Sequence, residues 1–350
     1  MSEQIPTYNG LSPTSLDAML KTIQASLATA SASIQSAEDD EGQGSVALTN
    51  HVSDFANLLG VDPEVYRQIN SALASGSRNL MFYGPPGTGK TTIAQQVAGA
   101  ISDNYTMITG SADWSSQEII GGYHPLSSGE ITFLPGVMLR NFDKPLIFDE
   151  LNRCDIDKVI GPLFTVLSGQ ATTLPYLTDA SDPESPRIEI TPHGVADPPR
   201  VYAPSADWRL IATINSMDKA SLYQMSYALT RRFAWIFVDV PRNSHGFICE
   251  FVQRYPSSPQ SPLDGFSPLG KIWESINEVR PIGAAPIIDI IRTVLTGNPA
   301  FNLFVKPSPE NTVAIDSYLD GFLFFCSRCS MGFCEKLAKS WRRMLFLLWG

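Results

Sequence analysis

One stretch narrows the folds open to this chain of 350 residues more than any other: Leu80-Met81-Phe82-Tyr83-Gly84-Pro85-Pro86-Gly87-Thr88-Gly89-Lys90-Thr91. Its apolar start reads as a buried strand, and Gly84-x-x-x-x-Gly89-Lys90-Thr91 has the spacing of the loop that wraps nucleotide phosphates. Glycines let backbone N–H groups turn inward onto the phosphates, the lysine reaches the β and γ oxygens, and the hydroxyl after it can ligate Mg2+. Thr92-Ile93-Ala94-Gln95-Gln96-Val97-Ala98 then reads as a helix whose N-terminus turns its positive dipole end to the same anion. Gly84, Pro85, Pro86, Gly87, Thr88, Gly89, Lys90, Thr91 and Thr92 are therefore the candidate nucleotide-binding residues. The ligand they imply is ATP or GTP with Mg2+, because such a loop reads phosphates and not the base.

Further strands are predicted at Tyr105 to Thr109, Lys144-Pro145-Leu146-Ile147-Phe148, Trp208 to Ile214 and Ala234 to Val240. Strands alternating with helical stretches predict an α/β fold with a parallel sheet covered on both faces. Such a sheet binds ligands at the carboxyl ends of its strands, where the loop, Asp149-Glu150 and Asn215 all fall. A helix is expected to start at Pro63, after the break at Gly60. Between the third and fourth strands lies a proline-dense stretch, Pro175 to Pro204, which reads as a long loop of functional or flexible kind. Beyond Pro241 the pattern is helical, with helices expected over 271–294 and 314–345. The chain thus divides into a flexible arm over 1–48, rich in Ser, Ala, Gln and Thr, an α/β core over 49–240 and a helical lid over 241–350. Leu16, Met19, Leu20, Ile23 and Leu27 recur at helical spacing and give the arm one amphipathic helix.

Two carboxylates supply the chemistry. Asp149 follows an apolar strand and serves the Mg2+ shell together with Thr91, and Glu150 beside it polarises the attacking water. Asn215, at the end of Leu210-Ile211-Ala212-Thr213-Ile214, reaches that water and the γ-phosphate.

Charge and cysteine usage bound the setting. A net charge of −10 argues against a broad nucleic-acid-binding surface. The chain opens on no basic segment with an apolar core, and it holds no run of about 18 apolar residues, so neither a signal peptide nor a membrane span is expected. Five cysteines, an odd number, point to reduced thiols in a cytosolic compartment. Cys326, Cys329 and Cys334 cluster, but no fourth ligand lies nearby in sequence, and no zinc is expected there.

The set as a whole resembles an AAA+ ATPase of the branch with an insert in its second helix, which includes MoxR chaperones, the McrB restriction motor, dynein and midasin. Asp149-Glu150-Leu151-Asn152-Arg153 is similar to the Asp-Glu-Ile-Asn-Arg of that branch, and Thr213-Ile214-Asn215-Ser216-Met217-Asp218-Lys219 to the Thr-Met-Asn-x-x-Asp-Arg of McrB. Ile120-Gly121-Gly122-Tyr123 with Gly129-Glu130-Ile131-Thr132-Phe133-Leu134-Pro135-Gly136 resembles the insert region. The resemblance covers roughly residues 50 to 295 and implies Lys90 and Thr91 as Walker A, Asp149 and Glu150 as Walker B, and Asn215 as sensor 1. It implies that Arg231 or Arg232 enters a neighbouring subunit's site, where a guanidinium stabilises charge on the γ-phosphoryl group. Gly283-Ala284-Ala285-Pro286-Ile287 departs from the MoxR Gly-Ala-Ser-Pro-Arg, and Arg280 is the substitute arginine on the lid. A homo-oligomer follows, a hexameric ring acting on a protein partner, with nucleic acid reached through that partner and no membrane. A nucleotide-dependent assembly switch or scaffold is the alternative. Within the motor reading a restriction or defence motor on DNA stands against a chaperone-like remodeller.

Overall fold

The computed structural model describes residues 58–216, 226–254, 267–297 and 302–304. The arm over 1–48, the Cys326, Cys329 and Cys334 cluster, Met217-Asp218-Lys219 and the helix expected over 314–345 lie outside the described residues.

Helix α1, Pro63–Ala74, begins where the sequence places it. The Asp62 side chain accepts from the Glu64 N–H at 2.9 Å, and Pro63 takes the first turn, where its missing donor costs nothing. Strand β1, Asn79–Gly84, leads through the glycine-rich loop into α2, Lys90–Ile101. Strand β2, Thr106–Thr109, follows, then the short helix α3, Ser116–Ile119, a hairpin of β3, Gly121–Pro125, and β4, Ile131–Pro135, and the helix α4, Val137–Arg140. Strand β5, Leu146–Asp149, runs into the short helices α5, Ile156–Ile160, and α6, Phe164–Leu167.

The proline-dense stretch is not the structureless loop that its composition predicts. It forms a second sheet of three strands, β6, Thr172–Leu177, β7, Arg187–Ile190, and β8, Val201–Tyr202, in that order. Pro175 is tolerated because the β6–β7 register shifts between Thr173 and Leu177, so no regular ladder bond is demanded there. Tyr123 of the hairpin accepts the Leu177 N–H on its hydroxyl at 2.7 Å and meets the Tyr176 ring edge-on, tying hairpin to sheet.

The main sheet is completed by β9, Leu210–Asn215, and β10, Ala234–Phe237, with the one-turn helix α7, Tyr227–Thr230, between them. Its order is β10-β1-β9-β5-β2, and every pairing is parallel. Alternation along the strands divides the core in two. Leu80, Phe82, Ile147, Ile211 and Ile236 pack with α1 and α2, while Met81, Leu146, Phe148, Leu210 and Ala212 pack with the helices and strands of the opposite face.

Helix α8, Ser244–Gln253, is followed by α9, Pro268–Val279, and α10, Ala284–Gly297. The stretch 271–294, expected as one helix, is therefore two. Pro281 disfavours helical geometry at Arg280 before it, and Trp273 holds the break by donating its indole N–H to the Ile282 carbonyl at 2.9 Å. These helices share an apolar cluster of their own, with Trp273, Ile287 and Ile291 fully buried. No helix among the described residues is long and apolar enough to cross a membrane.

Candidate nucleotide site

Register brings the site together. Gly84 pairs with Asn215, and Asp149 with Thr109, so the glycine-rich loop, Asp149 and Asn215 stand at one edge of the sheet, the carboxyl ends of β1, β5 and β9. The Ser216 N–H donates to the Gly84 carbonyl at 3.0 Å and fixes the start of the loop beside β9. Gly87 and Gly89 take φ of +77° and +89°, a left-handed geometry that a side chain would strain, and Gly89 hands the chain directly into α2.

Lys90 is buried and donates to the carbonyls of Gly84 at 3.1 Å and Pro85 at 2.6 Å. Burial pushes its pKa down to about 8, against the opposing pull of Asp149 and Glu150. Thr88 donates to the Pro85 carbonyl at 3.1 Å, and Thr92 is exposed on the first turn of α2.

Asp149 is the hub. Its Oδ1 accepts from the Thr91 hydroxyl at 2.8 Å and from the Thr213 hydroxyl at 2.7 Å, and Thr213 Oγ1 in turn accepts the Glu150 N–H at 2.9 Å. Thr213 belongs to the site although the motif reading gave it no role. The available signal was a hydroxyl in an otherwise apolar central strand, since a buried polar group needs partners. The Thr91 and Asp149 oxygens converge as hard ligands of the kind Mg2+ prefers, and the donor set therefore fits that ion.

Glu150 stands apart in conformation. It is the one non-glycine among the described residues with positive φ, at 51°, an arrangement that costs about 1–3 kcal/mol and persists only when the surroundings hold it. Its Oε1 accepts from Asn215 Nδ2 at 3.4 Å, and its Oε2 lies 2.5 Å from Arg153 Nε. The Asn215 N–H points to Asn152 Oδ1 at 3.4 Å.

A second element closes on the loop. The Gly283 N–H donates to the Pro86 carbonyl at 2.8 Å, and the Ala285 N–H to the Gly87 carbonyl at 3.1 Å. Because C=O and N–H of one trans peptide point oppositely, these bonds turn the N–H groups of Gly87 and Thr88 away from α10. Ile287, where the resemblance puts an arginine in MoxR proteins, is fully buried in the helical cluster. Arg280 caps the end of α9 through its N–H to the Ile276 carbonyl at 2.8 Å, three residues before the glycine that meets the loop.

The two candidate interface arginines part company. Arg232 is half-buried and tied to its own chain: Nε donates to the Phe164 carbonyl at 2.7 Å, a terminal nitrogen donates to the Ala228 carbonyl, and the guanidinium lies 5.0 Å over the Phe164 ring. Arg231, at the end of α7, is exposed, and its side chain has no hydrogen-bond or ion-pair partner among the described residues.

Residues 79–233 match the family model described as AAA domain (dynein-related subfamily). Among curated proteins, the chain is 29% identical over 103 residues to the Holliday junction branch migration complex subunit RuvB of Desulfosudis oleivorans, covering 28% of this chain and 30% of that one. It is 32% identical over 84 residues to subunit RuvB 1 of Synechococcus sp., covering 24% and 22% respectively. The chain thus spans less than a third of the length of these relatives. A solved structure of a Thermotoga maritima RuvB mutant aligns with a TM-score of 0.46 and 15% identity over 78% of this chain and 73% of that chain. Together with the parallel sheet flanked by helices and the loop between β1 and α2, the match identifies residues 79–233 as an AAA+ ATPase domain of the dynein-related subfamily.

Proposed function

We propose that this chain is an ATP-hydrolysing motor subunit of the McrB/MoxR-like branch, working as a homo-oligomeric ring, a hexamer, whose sites lie between neighbouring subunits. The observation that carries the proposal is the convergence of Lys90, Thr91, Asp149, Glu150 and Asn215 at one sheet edge, linked through Asp149 and Thr213. In this reading Lys90 exchanges its bonds to the loop carbonyls for the β and γ oxygens of the nucleotide. Thr91 and Asp149 would hold Mg2+, which when bound neutralises charge on those oxygens. Glu150 takes a proton from the attacking water, and the Asn215 amide orients its carboxylate. Arg231 is the residue offered to the next subunit, since Arg232 is already engaged within its own chain. Arg280 is the lid arginine.

The McrB/MoxR-like placing is supported by Asp149-Glu150-Leu151-Asn152-Arg153 and by the β3–β4 hairpin where the insert region is expected. For the job, two observations pull apart. The curated matches are branch migration subunits and favour work on DNA, while the net charge of −10 favours a protein partner that itself touches any nucleic acid. A purely nucleotide-gated scaffold is disfavoured because it has no use for a glutamate and asparagine poised together. A cytosolic setting belongs to the same proposal.

Glu150→Gln tests the assignment. It should bind ATP as the wild type does and lose turnover by about 10²-fold or more, the usual share of a general base. Unchanged turnover would remove Glu150 from the mechanism.

A further inference from the structure

Arg231 ends α7, a helix of a single turn, and a helix so short has no stability of its own. Its place must be set from outside, and two anchors set it. At its start Ser226 caps the helix by accepting the Leu229 N–H at 3.3 Å, and the capping serine is itself clamped. Its N–H donates to Asp157 Oδ2 at 3.1 Å and its hydroxyl to Asp157 Oδ1 at 2.7 Å. At its end Arg232 Nε donates to the Phe164 carbonyl on α6. Leu229 between the anchors is fully buried, while Tyr227 is 82% exposed and Arg231 is exposed one turn after it. An acidic residue in the first turn of a helix is ordinarily explained by the helix dipole, which asks for no particular partner. Asp157 stands in the first turn of α5, whose Ile156, Val159 and Ile160 are buried in the core, yet both of its oxygens are committed to Ser226 of another element. Two bonds to one residue fix its direction as well as its distance.

We propose that Asp157 is a positioning residue for Arg231: by clamping Ser226 it fixes the turn that presents the guanidinium, and so it serves the neighbouring subunit's site and not the site of its own chain. The inference rests on the reading of Arg231 as the residue that acts across the subunit boundary. Loss of the clamp frees the start of α7, while Leu229 and Arg232 still keep the turn on the protein. The arginine is then displaced and not removed, and a misplacement of about 1 Å can cost about 10²-fold in rate.

The test measures ATP turnover of full-length Asp157→Ala and Asp157→Asn, alone and in equal mixtures with Lys90→Ala and with Arg231→Ala. Alone, Asp157→Ala should lose kcat by about tenfold or more, with ATP affinity within about twofold of wild type. Asp157→Asn keeps one acceptor for Ser226 and should lose less. The mixtures separate positioning from a general loss of structure. A chain without the clamp keeps its own pocket, so Lys90→Ala should restore turnover to Asp157→Ala, whereas Arg231→Ala, defective on the same side, should not. Restoration by Arg231→Ala would place Asp157 in its own chain's site and overturn the proposal, as would restoration by neither partner or wild-type kcat in Asp157→Ala. The mixture of Arg231→Ala with Lys90→Ala is the control. If it stays inactive, the cross-subunit reading fails and the proposal with it; if it recovers and the mixture of Asp157→Ala with Lys90→Ala does not, only the clamp fails. Should Asp157→Ala melt well below wild type, Ser226→Ala, which removes the hydroxyl and keeps the backbone bond, takes its place in the same mixtures, with the same outcomes counting for and against.

Discussion

At the scale of single residues, the site is a chain of shared hydrogen bonds, and its weakest-looking member is the most exposed to test. Thr213 gives its proton to Asp149 and takes one from the Glu150 backbone, so Thr213→Val removes a donor and an acceptor at once from a fully enclosed position. A cost of about 1–3 kcal/mol in unfolding free energy is expected, with turnover falling at least tenfold as Glu150 loses its anchor. Denaturant titration of the nucleotide-free protein reads the first and steady-state kinetics the second. Unchanged stability would mean that the bridge is not formed in solution. Lys90 gives a prediction in pH. Burial lowers its pKa to about 8, and phosphate oxygens beside it would raise it again, so nucleotide binding should take up protons where the free lysine has begun to lose them. Calorimetric titration with a non-hydrolysable ATP analogue should show heats that depend on the buffer's ionisation enthalpy at about pH 8.5 and scarcely at about pH 6.5, with affinity falling as pH rises between them. Equal heats in all buffers at the higher pH would contradict this. The meeting of the glycine-rich loop, Asp149, Glu150 and Asn215 at one sheet edge was legible because each stands at the end of an apolar strand. Thr213 and Arg153 were less so, since a strand threonine and a turn arginine acquire meaning only through what the fold sets beside them.

At the scale of elements, the contact between α10 and the loop carries the next prediction. Gly283 lies so close that a Cβ on it would stand 2.2 Å from the Gly87 carbonyl carbon and oxygen and 2.3 Å from the Thr88 nitrogen, all backbone atoms that cannot swing aside. Gly283→Ala should therefore push helix and loop apart and weaken nucleotide affinity by about tenfold, in line with the cost of overpacking. Equilibrium binding of a fluorescent ATP analogue measures it, and wild-type affinity would show that the helix does not set the loop. The parallel strands could be read in advance because a strand buried on both faces is a near-continuous apolar run, as in Leu146-Ile147-Phe148 and Leu210-Ile211-Ala212. The strands β6 to β8 could not, because proline density around short, bulged strands resembles loop composition until the partner strand is seen. The break at Arg280-Pro281 was hidden by apolar periodicity that continues on both sides of it.

At the scale of the molecule, we propose that one chain supplies the nucleotide-binding edge and its neighbour the completing arginine. Among the described residues Arg231 is exposed and unengaged, whereas Arg232 is bound to Phe164 and Ala228 within the chain, so the two substitutions should separate. Arg232→Ala should act mainly on stability, and Arg231→Ala on hydrolysis with binding intact. The most direct measurement mixes Arg231→Ala with Lys90→Ala, two proteins that should each be nearly inactive alone. Because their defects lie on opposite sides of a shared site, a mixed interface pairs an intact loop with an intact arginine. ATP hydrolysis should reappear on mixing and rise with total protein concentration, as assembly by mass action requires. Normal hydrolysis by Arg231→Ala alone, or a wild type whose specific activity does not change on dilution to a proven monomer, would contradict it.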